Sequence, residues 1–215
     1  GWRGIRISLD HPELFLDQLK AMLKANMGLG NLKIMLPMIS GTEEVDEALA
    51  LFEQAYFELA EKHPEQNLER PEVGIMLEVP SSIFMLDEWA KKVDFCSVGS
   101  NDLTQYLLAV DRANARVAQL FNPYHPGVLR VLNKVANECN KHRLPFSLCG
   151  ELGGEPEGAI LLIAMGYRHL SMNKIISLQQ TAMVCPVQRS RFAFLVTHPS
   201  LTHPHQPTHP HLVRR

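Results

Sequence analysis

The 215-residue sequence is poor in the features that mark several large functional classes. Its 21 basic and 23 acidic side chains leave a formal net charge of −2, so no broad positive field exists to hold a polyanion such as a nucleic acid. No apolar run approaches the roughly 18 to 20 residues that span a bilayer; the run around Ala159–Met165 is among the longest. The chain opens without a basic segment followed by an apolar one, which argues against a secretory leader and for a cytoplasmic protein. Its cysteines, Cys96, Cys139, Cys149 and Cys185, form no CxxC pair and have no metal-binding spacing, so reduced thiols are expected.

What is present is an alternation of short apolar runs and amphipathic stretches, the pattern of a parallel α/β fold. Leu32–Ile39, Glu72–Val79, Val93–Gly99, Phe146–Cys149 and His169–Met172 read as strands, nearly continuous in apolar residues as expected where helices cover a parallel sheet. Arg3–Leu9 is ambiguous and could belong to a further strand. Asp10 with Glu13, and Pro12 between them, predicts a capped helix start, followed by a stripe of Phe15, Leu16, Leu19, Met22, Leu23 and Met27. A second helix, Thr42 to about His63, places Val45, Leu49, Phe52, Tyr56 and Leu59 on one face. Shorter helices are expected near Ser82–Lys91, Leu103–Val110, Val128–His142 and Glu157–Met165, with Gly28 and Gly166 as C-terminal caps.

The alternation stops near Ile175. The stretch "THPSLTHPHQPTHPHLVRR" carries five histidines among its prolines and shows no apolar periodicity. Two regions are therefore expected: a folded domain over residues 1–176, and a Pro/His-rich, poorly ordered tail over 177–215.

Ligands of parallel α/β folds bind at the carboxyl ends of strands, where loops and helix N-termini present unpaired N–H groups. Three consecutive strands end there in polar residues: Glu78, then Asn101 with Asp102, then Cys149 with Gly150 and Glu151. Two neighbouring carboxylates repel unless a cation lies between them, and Mg²⁺, which takes one or two carboxylates and fills its octahedron with other oxygens, is the simplest answer. The alternative is that Asp102 caps the following helix and Glu78 is a solvated strand end. Arg112 could grip a phosphate or carboxylate, or pair with Asp111.

The segment "DFCSVGSNDLTQYLLAVDR", residues 94–112, resembles a signature of the phosphoenolpyruvate-utilising enzymes. "GWRGIRISLD", "GIMLEVPSS" and "LCGELGG" resemble the same family in the same order, over roughly residues 1–176. Within the family the chain is most similar to enzyme I of the bacterial phosphotransferase system, and "ANMGLGNLKIMLPM" and "GYRHLSMN" lean towards its nitrogen branch. The resemblance implies a (β/α)8 barrel that binds phosphoenolpyruvate and Mg²⁺ and passes the phosphoryl group to a histidine on a separate N-terminal domain. It implies Glu78 and Asp102 as Mg²⁺ ligands, Asn101 at the substrate carboxylate, Arg112 at the phosphoryl group, Arg3 as a further substrate-site arginine, and Cys149 as the acid that protonates the enolate carbon.

The family barrel has eight strands, and about five are legible. The expectation is a partial barrel that lacks the earlier strands and the phosphoryl-carrying domain, with apolar inner surface and strand edges that favour association. The resemblance further implies a phosphocarrier of the HPr type as onward partner and a homodimer in the complete protein. Pyruvate phosphate dikinase or phosphoenolpyruvate synthase share the signature and form the alternative, as does a non-catalytic dimerisation module.

Overall fold

The computed structural model describes residues 1–66 and 68–172. All five expected strands form, β4 with the bounds expected and the other four shortened at one or both ends: β1 Lys33–Leu36, β2 Glu72–Leu77, β3 Phe95–Gly99, β4 Phe146–Cys149 and β5 Leu170–Ser171. Helices α1 (Ile5–Asp10) and α2 (Pro12–Asn26) precede β1, and α3 (Thr42–Lys62) links β1 to β2. A 3-10 turn at Pro80–Met85 runs into α4 (Leu86–Lys92) before β3. Helices α5 (Ser100–Leu107) and α6 (Pro126–His142) lie between β3 and β4, and α7 (Pro156–Ala164) between β4 and β5. The proposed boundary near residue 176 and the Pro/His-rich tail lie outside the described residues.

The strands are all parallel and stand in the order β1-β2-β3-β4-β5. A doubly wound sheet reverses its strand order at a switch point; a barrel adds each strand beside the last. The unbroken order therefore makes this a partial (β/α)8 barrel.

The two faces of the sheet differ. Ile34, Leu36, Val73, Ile75, Leu77, Cys96, Val98 and Leu148 alternate along their strands and are buried beneath the helices. Against them pack Phe15, Leu19 and Leu23 of α2, and Val45, Ala48, Phe52, Ala55 and Leu59 of α3, spaced three or four residues apart. Each such large side chain contributes about 1.5–3 kcal/mol by leaving water. The other face carries Met35, which is 37% exposed, together with Met76, Ser97, Ser147 and Cys149. At its amino end Lys33 pairs with Glu72 and lies 5.5 Å from the centroid of the Phe95 ring. Among the described residues, helices cover only one face.

Two local expectations are corrected. The ambiguous stretch at Arg3–Leu9 is helical rather than a strand: Ile5–Asp10 forms α1, with Ile5 fully buried and Leu9, one turn later, packed against the core. A run this short does not distinguish the two periodicities. Asp10 does not cap α2 either. It ends α1, His11 occupies the N-cap without a side-chain bond, and the Asp10 carboxylate accepts instead from the Trp2 indole N–H. Pro12 does stand in the first turn of α2, where its missing N–H costs nothing.

Candidate functional site

The carboxyl ends of β2, β3 and β4 supply Glu78, Asn101 with Asp102, and Cys149, the strand-end side chains singled out in the sequence. Glu78 follows β2 directly and is only 3% exposed. Its Oε1 accepts the backbone N–H of Met38 at 2.7 Å. Gly99, at the end of β3, makes room for it: a Cβ there would stand 3.0 Å from Glu78 Oε2. Burial pushes the Glu78 carboxyl above the usual range, opposed by the Met38 N–H, and the neighbouring Asp102 carboxylate pushes it further up. A carboxylate buried beside another carboxylate calls for a positive charge.

Arg3 partly supplies one. Its guanidinium lies 2.7 Å from Asp102 Oδ2, and that hydrogen bond holds the arginine above its ordinary value. Helix α5 begins at Ser100, so Asp102 sits in its first turn rather than capping it, and no side chain caps this helix. The alternative in which Asp102 caps the helix is not met; the carboxylate faces Arg3 and Glu78.

The next rim position belongs to Cys149. Its Sγ lies 3.5 Å from the Val98 carbonyl oxygen. Burial raises the thiol above its ordinary value, a hydrogen bond from Ser97 opposes this, and Glu78 and Asp102 reinforce the rise. The sulfur therefore stays protonated at neutral pH, as a proton donor must. Beside it, Ser100 Oγ donates to the Cys149 carbonyl at 3.0 Å, and Asn101 Oδ1 accepts the Glu151 N–H at 3.2 Å. This commits the carbonyl side of the Asn101 amide and leaves its NH₂ group as a donor. Gly150 allows the approach: its φ is 123°, and a Cβ there would collide with Ser100 Oγ.

The structure thus brings Arg3, Glu78, Asp102, Asn101 and Cys149 to one rim. Arg112 follows the end of α5. Its backbone N–H donates to Gln105 Oε1 at 3.2 Å, and its guanidinium makes no ion pair among the described residues. Three residues escaped the sequence reading. Met38 buries its side chain and adopts φ 64°, a left-handed conformation, while holding Glu78. Gly4, the residue preceding α1, stands against it. Ser97 lies two residues before Gly99 on the same face of β3, a position that strict alternation along the strand could have found.

Two carboxylates and no larger cluster suit a hard, oxygen-loving cation better than zinc. Among the described residues no group of three or more His, Cys, Asp or Glu side chains could hold a metal. Mg²⁺ asks for only one or two carboxylates, and the half-neutralised Glu78–Asp102 pair fits that demand. No described helix is long and apolar enough to cross a membrane.

Comparison with known proteins gives a consistent picture. Residues 1–185 match the family described as PEP-utilising enzyme, PEP-binding domain. A protein of Salmonella typhimurium named phosphoenolpyruvate-dependent phosphotransferase system is 55% identical over 173 residues, covering 80% of this chain and 23% of that protein. A phosphoenolpyruvate-protein phosphotransferase of Cupriavidus necator is 40% identical over 173 residues, again 80% of this chain and 29% of the relative. The chain thus spans between a fifth and a third of the length of these relatives. Among solved structures, a citrate lyase from Burkholderia xenovorans superposes with a TM-score of 0.58 at 19% identity, covering 81% of this chain and 54% of that one. A HpcH/Hpal aldolase/citrate lyase family protein from Burkholderia cenocepacia gives 0.54 at 16% identity, covering 82% and 68%. These two share the fold alone. By sequence, along most of its length, the chain belongs to the PEP-utilising enzymes and corresponds to their PEP-binding domain.

Proposed function

We propose that this chain binds phosphoenolpyruvate at the carboxyl rim of its sheet and is the substrate-binding part of a phosphoenolpyruvate-protein phosphotransferase. The observation that carries the reading is the cluster of Glu78, Asp102 and Arg3 beside a protonated Cys149. The names of the relatives at 40 to 55% identity support phosphotransfer to a protein over the dikinase and synthase alternative.

In this reading Glu78 and Asp102 hold Mg²⁺, which when bound offsets negative charge on the substrate oxygens. Arg3, no longer committed to Asp102, turns its donors to substrate oxygens, and the Asn101 NH₂ donates to the substrate carboxylate. Arg112 reaches the phosphoryl group. The bond between phosphorus and the enol oxygen breaks, and the phosphoryl group passes to a histidine nitrogen on a separate domain. The electron pair left on the enol oxygen forms the enolate. Cys149 then gives its proton to the methylene carbon, producing pyruvate and a thiolate that regains a proton from water. A soft sulfur performs this step without competing for the hard cation. The onward acceptor is an HPr-type phosphocarrier, and the complete protein is a cytoplasmic homodimer.

The proton step can be tested without the acceptor domain by running it backwards. In deuterium oxide with Mg²⁺, the chain should exchange the methyl protons of pyruvate, followed by proton NMR. Cys149→Ala should slow that exchange by roughly 100-fold or more. Exchange by the variant at the parent rate would remove Cys149 from the chemistry.

A further inference from the structure

Met38 combines three properties with no explanation in the chemistry above. It is a non-glycine residue at φ 64°, its side chain is buried, and its N–H holds Glu78 at 2.7 Å. Left-handed backbone is rare for such a residue and persists only where surrounding contacts impose it. Those contacts are identifiable. Gly4 stands against it with φ 60° and ψ −134°, a conformation open to glycine, and a Cβ on Gly4 would lie 2.9 Å from Met38 Cγ. Ile5, fully buried, donates its N–H to the Pro37 carbonyl at 3.2 Å. The Tyr106 hydroxyl lies 3.9 Å from Met38 Sδ, and Tyr106 belongs to α5, one turn beyond Asp102.

We infer that Gly4 and Met38 form a two-residue backbone joint that sets Arg3 and Glu78 together, making both positioning residues for the carboxylate pair. Gly4 fixes the entry of Arg3, whose guanidinium meets Asp102 at 2.7 Å. Met38 turns its N–H onto Glu78. Tyr106 closes the ring from the helix that carries Asp102. Neither joint residue needs to touch the substrate. The inference rests on the reading of Glu78 and Asp102 as a cation-binding pair.

The joint separates from ordinary core packing by an inversion of rank. If Met38 served only to fill space, Val at that position would serve better than Gly. If its left-handed backbone is what matters, Gly, which adopts it freely, must serve better than Val, whose branched Cβ resists it. The experiment is a Mn²⁺ titration of the full chain, read by electron paramagnetic resonance, with Met38→Gly, Met38→Val and Gly4→Ala. Gly28→Ala is the control, since Gly28 has φ 77° but nothing within 4 Å of an added Cβ. The expected result is Mn²⁺ binding at least about tenfold weaker in Met38→Val and Gly4→Ala, and near the parent value in Met38→Gly and Gly28→Ala. Equal affinities for the Gly and Val variants, or the reverse order, would overturn the joint. Amide hydrogen exchange at Met38 gives a readout independent of metal: protection present in the parent should be lost in Gly4→Ala and kept in Gly28→Ala. Unchanged protection in Gly4→Ala would overturn the joint. A parent chain that binds no Mn²⁺ but shows this pattern of protection would sink the cation-site reading and leave the joint standing.

Discussion

One sheet presents two surfaces built by different rules. Beneath the helices, Ile34, Val73, Ile75, Leu77, Val98 and Leu148 are alike in chemistry and are buried. On the opposite surface the same strands carry Met35, Met76, Ser97 and Cys149, and continue into Glu78, a buried acid whose environment disfavours its charge. The first surface contributes stability through area alone. The second gives some of it up to hold charges and a thiol in place, as functional sites commonly do.

Adjacent residues of β2 test that division most strongly. Ile75→Ala, on the helix side, should cost about 2–5 kcal/mol in chemical denaturation through lost burial and a residual cavity. Met76→Ala, its neighbour on the half-buried open side, should cost clearly less. Equal costs would mean that the open surface is packed as tightly as the other.

A smaller effect, of opposite sign, is expected at Glu78. Its native carboxyl is raised above its unfolded value, chiefly by burial, so between those two values the native state binds more protons than the unfolded chain. Stability from this group therefore falls as pH rises through that window. Glu78→Gln should accordingly raise the melting temperature at pH 7 while weakening cation binding. That gain should vanish below about pH 4, where the carboxyl is protonated in both states. A variant less stable than the parent at pH 7 would show that the carboxylate is fully compensated. Least of all should matter Lys33, half-exposed in its pair with Glu72. Lys33→Met should change stability by no more than about 1 kcal/mol in the same denaturation assay.

The same division explains what the sequence revealed. Strand and helix positions were legible because the buried surface repeats one chemical type at a fixed spacing, as in Phe15, Leu19 and Leu23 or in the run of β2. Helix α1 was not, since a single turn linking Ile5 to Leu9 fits either periodicity. Asp10 illustrates a cap signal overridden by a tertiary partner, the Trp2 indole. On the rim, Glu78 and Asp102 were visible as acids at neighbouring strand ends, while the role of Cys149 needed the likeness to known enzymes. Nothing in a methionine announces a left-handed backbone, so Met38 became visible only through its contacts with Gly4 and Glu78. The backbone bond from Arg112 to the Gln105 side chain was equally hidden, because the loop after α5 follows no regular geometry.

Titration calorimetry with phosphoenolpyruvate, in the presence and absence of Mg²⁺, tests the central claim most directly when the parent is compared with Asp102→Asn. The account predicts Mg²⁺-dependent binding to the parent, weakened roughly 10- to 100-fold in the variant because a charged ligand has been neutralised. Binding that ignores both Mg²⁺ and the substitution, or a folded parent that binds nothing, would contradict it.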